Sequence, residues 1–181
     1  MKRLIQSLPL IFAVLMIAGY RLLPHPWNFT PVCAAAIFGG LYLPRWVAFV
    51  LPLGSMIVAD LFLGMDWVMT PVIYTLILMT VFVGQWARTA YGRKWVYALR
   101  IFSGALGASV FFFLVTNFVS WLSLPIYTKD WNGFVQCYTM AIPFFRNALA
   151  GDLLFLTAFV ASYELLKKAS TVVVQPKLSI N

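Results

Sequence analysis

The chain has 181 residues, 62% of them apolar and only 10% charged, with a formal net charge of +8. A soluble domain carries roughly a quarter charged residues, so this composition excludes a water-coated globule and indicates a single membrane-embedded domain. The positive charge is no nucleic-acid signature, because the basic residues sit in short segments between apolar runs, where they act as topology signals; two cysteines, Cys33 and Cys137, make no metal framework, and a disulfide between them is left open.

In chain order, the first apolar run covers Leu4–Leu22. It follows Lys2 and Arg3 like a signal peptide, but no small-x-small cleavage site precedes Tyr20-Arg21, so an uncleaved helix is expected. The second run, Pro31–Leu43, is short and rich in small residues. Trp46–Leu63, Thr70–Ala87, Ile101–Leu122 and Pro143–Leu166 follow. None alternates with period two, which argues against a barrel. The predicted fold is all-α: a compact bundle of six transmembrane helices over residues 1–168, with a short cytoplasmic tail, 169–181. With the N-terminus inside, ten Lys and Arg residues fall on the cytoplasmic side, and only Arg21, Lys129 and Arg146 outside. That asymmetry predicts both termini inside and a multi-pass protein of the bacterial inner membrane.

Small residues four apart, Ala35 with Gly39, Ala36 with Gly40, Ser103 with Gly107 and Gly104 with Ala108, predict close helix approaches within the bundle. The polar residues able to recognise something fall on the outer side. The first outer loop holds Arg21, His25, Trp27 and Asn28, stiffened by prolines, the second Asp60, Asp66, Trp67 and Tyr74, and the third is expected to run from Asn117 to Asn147. At about 1.5 Å per residue, Asp60 lies about 22 Å along its helix from Arg45, and Asp152 a similar distance from Lys167. Both then sit in the outer third of a hydrocarbon core about 30 Å thick, where ionised groups are costly and face a bundle interior or a watery cavity. Asp60 with Arg146, or Asp152 with His25, could alternatively be interhelical pairs. The tryptophans Trp27, Trp67, Trp121 and Trp131 fit an interfacial belt. Gly151, on one face with Asn147, would admit a close backbone or ligand.

No Walker motif, H-E-x-x-H or G-x-S-x-G occurs, and the single histidine leaves little room for a metal site, so no enzyme, metal or cofactor is expected.

The order of several short motifs resembles the substrate-binding S-components of energy-coupling-factor vitamin transporters. They are Asn28-Phe29-Thr30-Pro31-Val32, Phe38-Gly39-Gly40, Pro52-Leu53, Asp60-Leu61, Phe112 through Phe118 with Trp121, and Pro143-Phe144-Phe145-Arg146-Asn147. The nearest resemblance is to a bacterial membrane-protein family related to the solitary vitamin B12 S-component, and it covers about residues 20–155. It implies capture of a small micronutrient, such as a corrinoid, at the outer face, with an energising transporter module as a partner beside the lipid bilayer. The substrate-binding residues expected are His25, Asn28, Asp60, Tyr74, Asn117, Trp121, Arg146 and Asn147. The sequence departs from the B12 protein in having no cysteine between Asp60 and Trp86, where that protein ligates cobalt, and no A-x-x-x-A face on the first helix. The alternative is a structural membrane protein of the MreD kind that organises a cell-envelope complex.

Overall fold

The computed structural model describes residues 2–173, with side chains over 9–169. Six helices follow one another: α1 (Lys2–Leu22), α2 (Val32–Tyr42), α3 (Arg45–Leu63), α4 (Met69–Arg88), α5 (Lys94–Ser123) and α6 (Trp131–Val173). Four of them, α3 to α6, are long and apolar enough to cross a bilayer, while α2 and the described apolar part of α1 are shorter. The molecule is an all-α, multi-pass membrane protein.

The short helix is the centre of the bundle. α2 packs against α3, α4 and α6, α4 also against α5, α5 against α6, and α1 against α3. Eight of its eleven residues are buried, among them Ala34, Ala36 and Ile37 at 0–1% exposure. α5 is the opposite: along its 30 residues only Ala105 and Ser109 are buried. Its other apolar side chains, such as Phe102, Leu106 and Leu114, are directed outward, as lipid contact requires.

Glycine sets how closely α2 and α4 cross. A Cβ added at Gly40 would overlap the Val81 carbonyl oxygen and lie 2.9 Å from Gly84 Cα, and one at Gly84 would overlap the Ile37 carbonyl oxygen. Gly39 approaches α3 less tightly, an added Cβ there lying 3.1 Å from Ala48 Cα. The small-residue pairs on α2 therefore serve packing within the chain, and Gly84 is the partner that the spacing of small residues did not bring out. Backbones this close gain dispersion contacts, which drive association where lipid removes the hydrophobic difference.

The connection between α5 and α6 differs from the expected long outer loop. α5 begins at Lys94 and continues unbroken through Asn117 and Trp121; α6 begins at Trp131, not at Pro143, and passes through that proline. Only residues 124–130 lie between them. Aromatic packing explains the extra helix. Phe113 meets Tyr138 and Phe145 with ring centroids 5.6 and 4.8 Å apart, and Trp121 meets Phe134 edge-on at 5.4 Å. A row of rings across an antiparallel hairpin stabilises both helices beyond the strictly apolar spans. Proline inside α6 is tolerated, as in many membrane helices, because neighbouring groups compensate the lost hydrogen bond. At its other end α6 continues to Val173, so the start of the expected tail is helical; residues 174–181 lie outside the described residues.

Candidate functional site

The end of α1, the last turn of α3 and the start of α4 converge on Asp60. Arg21, in the last turn of α1, donates from Nη1 to Asp60 Oδ1 at 2.9 Å, and Tyr74, in the second turn of α4, donates its hydroxyl to Oδ2 at 2.8 Å. The side chains of Arg21 and Asp60 are only 17% and 8% exposed, so each ion stands where a partner is needed. The turns that deliver these groups are local. Asp66 Oδ1 accepts from the backbone N–H groups of Val68 and Met69 at 2.9 and 2.6 Å, capping the start of α4 five residues before Tyr74. The sequence reading offered Arg146 as the partner of Asp60, but Arg21 holds that place.

The α1–α2 connection lies beside this group. His25 Nδ1 is 2.6 Å from the Leu23 carbonyl oxygen, and its ring packs on Tyr20 with centroids 5.3 Å apart. Asn28 takes a left-handed backbone conformation, φ 62°, which asparagine tolerates better than most residues. Phe29, one residue on, sits against Gly151 of α6: an added Cβ there would be 3.3 Å from Phe29 Cα. The close approach expected at Gly151 is thus made by this chain's own backbone.

A second group occupies the α5–α6 hairpin. Asn117 Nδ2 donates to the Phe113 carbonyl at 2.7 Å, while its own backbone carbonyl lies 3.4 Å from Cys137 Sγ. Trp121 Nε1 donates to the Thr128 carbonyl at 2.9 Å, and Lys129 donates to the carbonyls of Trp121, Leu124 and Tyr127, closing the hairpin tip. Asp130 Oδ1 accepts from Gly133 N–H at 2.8 Å and from the Thr128 hydroxyl at 2.7 Å. The Gly133 N–H bond, followed by the Thr128 bond, holds its carboxyl below the usual aspartate range.

Arg146 stands apart from both groups. It is exposed, and among the described residues its side chain makes neither a hydrogen bond nor an ion pair. Its neighbour Asn147 is half-buried. Phe145 packs on Phe113, thirteen residues along α5 from Arg100, so Arg146 stands about 20 Å from that basic end. That distance is less than the thickness of a hydrocarbon core, about 30 Å.

Of the eight expected site residues, Asp60 and Tyr74 are joined directly, His25 and Asn28 lie on the adjoining turn, and Asn117 and Trp121 brace the hairpin. No hydrogen bond or ion pair connects these groups to Arg146 or Asn147 among the described residues. Asp152 is buried and accepts from the Ser109 hydroxyl at 2.7 Å, in place of the offered pairing with His25. Cys33 and Cys137 are both free thiols.

Two participants were not among the expected binding residues. One is Arg21, which the sequence reading set in the first outer loop, at the same level as Asp60. The other is Glu164, the chain's only glutamate, which lies among the basic residues of the opposite end. Its Oε1 accepts from the Tyr42 hydroxyl at 3.0 Å, and Tyr97 donates to the Tyr42 oxygen at 2.9 Å. This chain of bonds ties the end of α2 to α5 and α6.

Among the described residues no cluster of three metal-ligating side chains occurs. No curated protein and no solved structure matches the chain. Residues 2–176 match the model of a family described as a family of unknown function (DUF6580), and the chain belongs to that family.

Proposed function

We propose that this protein is a non-enzymatic binding and transport protein of the S-component type. In this reading six spans cross the bacterial inner membrane with both termini in the cytoplasm, and a small polar micronutrient is captured at the outer face. The observation that carries the reading is Arg146. An arginine at bilayer depth is costly and is normally paired or turned to a watery cavity, yet this guanidinium keeps its five N–H donors free of any described partner. It suits an anionic or carbonyl-rich solute, with Asn147 as a second polar contact. Asp60 and Tyr74, already bonded, would form a fixed rim, and a partner module that supplies energy would dock elsewhere on the bundle. The orientation rests on the ten-to-three distribution of basic residues.

The structural alternative of the MreD kind draws support from Asp60, which Arg21 and Tyr74 satisfy as a clasp between three helices would require. Mass spectrometry of small molecules copurifying with the detergent-solubilised protein separates the two. A solute retained by the wild type and lost from Arg146→Ala, at equal thermal stability, is the expected result. Equal small-molecule content in both proteins would end the binding reading. Titration with cobalamin and cobinamide tests the corrinoid class separately. Reporter fusions after residues 66 and 131 should report the outside, and those after 92 and 170 the cytoplasm; a cytoplasmic signal at 131 would break the six-span orientation.

A further inference from the structure

α4 and α5 touch at one level and part at the next. Near their basic end, an added Cβ at Gly104 would run into the Val83 side chain, but one at Gly107 would meet nothing within 4 Å. The separation opens an apolar groove of about 330 Å³ lined chiefly by Leu76, Met79, Trp86, Gly107 and Phe111. Gly107, Met79, Trp86 and Phe111 are exposed along it, so it faces the bilayer. From Leu76 to Trp86 it follows ten residues of α4, about 15 Å at roughly 1.5 Å per residue. That equals one leaflet of a hydrocarbon core about 30 Å thick.

The end of the groove marked by Trp86 is strongly basic. Arg100 lies one helical turn below Gly104, its guanidinium 5.0 Å from the Trp86 ring centroid, and donates to the Thr89 hydroxyl at 2.6 Å and more weakly to the Trp86 carbonyl. It has no acidic partner among the described residues, which leaves further donors for an anion. The side chains of Arg88, Arg93 and Lys94, in the adjoining turn, make no hydrogen bond or ion pair among the described residues. An apolar slot one leaflet long, ending at Arg100 with further basic residues in the adjoining turn, is complementary to one kind of molecule.

We propose that this groove seats one anionic phospholipid, an acyl chain against Gly107 and the phosphate at Arg100, in the field of the basic residues of the adjoining turn. The chain fills space that neither helix occupies, and the head group neutralises charge that the protein leaves open. Basic sites between membrane helices bind anionic head groups on the same physical grounds. The inference is independent of any substrate at the outer face.

Native mass spectrometry of the full chain, supplied with phosphatidylglycerol and phosphatidylcholine of identical acyl chains, tests it. Wild type should retain phosphatidylglycerol in preference, by roughly fivefold for each basic side chain engaged. Gly107→Leu adds its side chain to open space and should lower retention of both lipids while leaving elution and thermal stability unchanged. Should that variant fold poorly, Arg88→Gln with Arg100→Gln leaves the groove intact and should abolish the head-group preference alone. Equal retention of the two lipids by wild type, a Gly107→Leu protein that binds as wild type does, or a preference that survives the double substitution would each overturn the proposal.

Discussion

The crossing of α2 with α4 and the hairpin of α5 with α6 hold helices together by opposite means. At the crossing, side chains are missing: Gly40 and Gly84 bring backbone onto backbone, and the residues around them, Ile37 and Val81, are almost wholly buried. At the hairpin, side chains are large and half-exposed, and rings from Phe113 to Phe134 span the gap that small residues would have closed. A contact made by absence tolerates no added atom. A contact made by rings and peripheral hydrogen bonds can be altered piece by piece.

Substitution at the crossing should therefore have the largest effect. Gly84→Leu places its Cβ on the Ile37 carbonyl oxygen, which belongs to backbone and cannot rotate away. Ordinary overpacking costs about 1–3 kcal/mol, and a backbone clash at the bundle centre should exceed that range. Loss of the monodisperse species in size-exclusion chromatography is the expected result; a well-folded Gly84→Leu protein would show that α2 and α4 are farther apart than described.

Next comes the Asp60 clasp, intermediate in burial between the two regions. Removing one member leaves the other ion uncompensated, at about 3–5 kcal/mol for a buried pair and less here because Arg21 keeps 17% exposure. Thermal unfolding should place Asp60→Ala and Arg21→Ala well below wild type, and a double variant with Arg21→Met and Asp60→Leu above either. Arg146→Ala, which breaks no described bond, should match wild type. If Asp60→Ala were as stable as Arg146→Ala, the clasp would contribute nothing to the fold.

The smallest effect belongs to the hairpin tip. The Asp130 carboxyl is held below its usual range, so its bonds to Gly133 and Thr128 add stability at and above the ordinary aspartate range, near about 4. That contribution is lost as pH falls through the lower, folded value. The Gly133 amide resonance should report this titration with a midpoint under that of a free aspartate. A midpoint at the free value would mean that the first turn of α6 is not capped by Asp130.

Much of the helix pattern was legible because apolar runs in a membrane protein are bounded by charges and turns; α1 to α4 fall within a few residues of their expected limits. The α5–α6 hairpin was not, because Trp121, Phe134 and Tyr138 carry polar edges and stand among Lys129, Asp130 and Asn132, which read as a loop unless the facing helix is known. The site was legible as a set of residues but not as a set of pairs. Sequence placed Arg21, Asp60, Tyr74 and Arg146 at the same outer level, yet which of them meet depends on the order of helices around α2. Spacing along one chain says nothing about that order.

The brevity of α2 has a consequence for how the chain is made. Eleven residues extend about 16 Å, too little to be retained as a membrane span by apolar character alone. As this segment leaves the ribosome it has no stable resting place in the lipid, and the groups that later surround it on α3, α4 and α6 have yet to be translated. Its insertion must be completed by its successors: α3 first, joined to it by the tight Leu43-Pro44 link, then α4, whose Gly84 receives it, and last α6, whose Glu164 fastens its end. The most buried helix of the finished bundle is therefore among the first synthesised and the last to be secured.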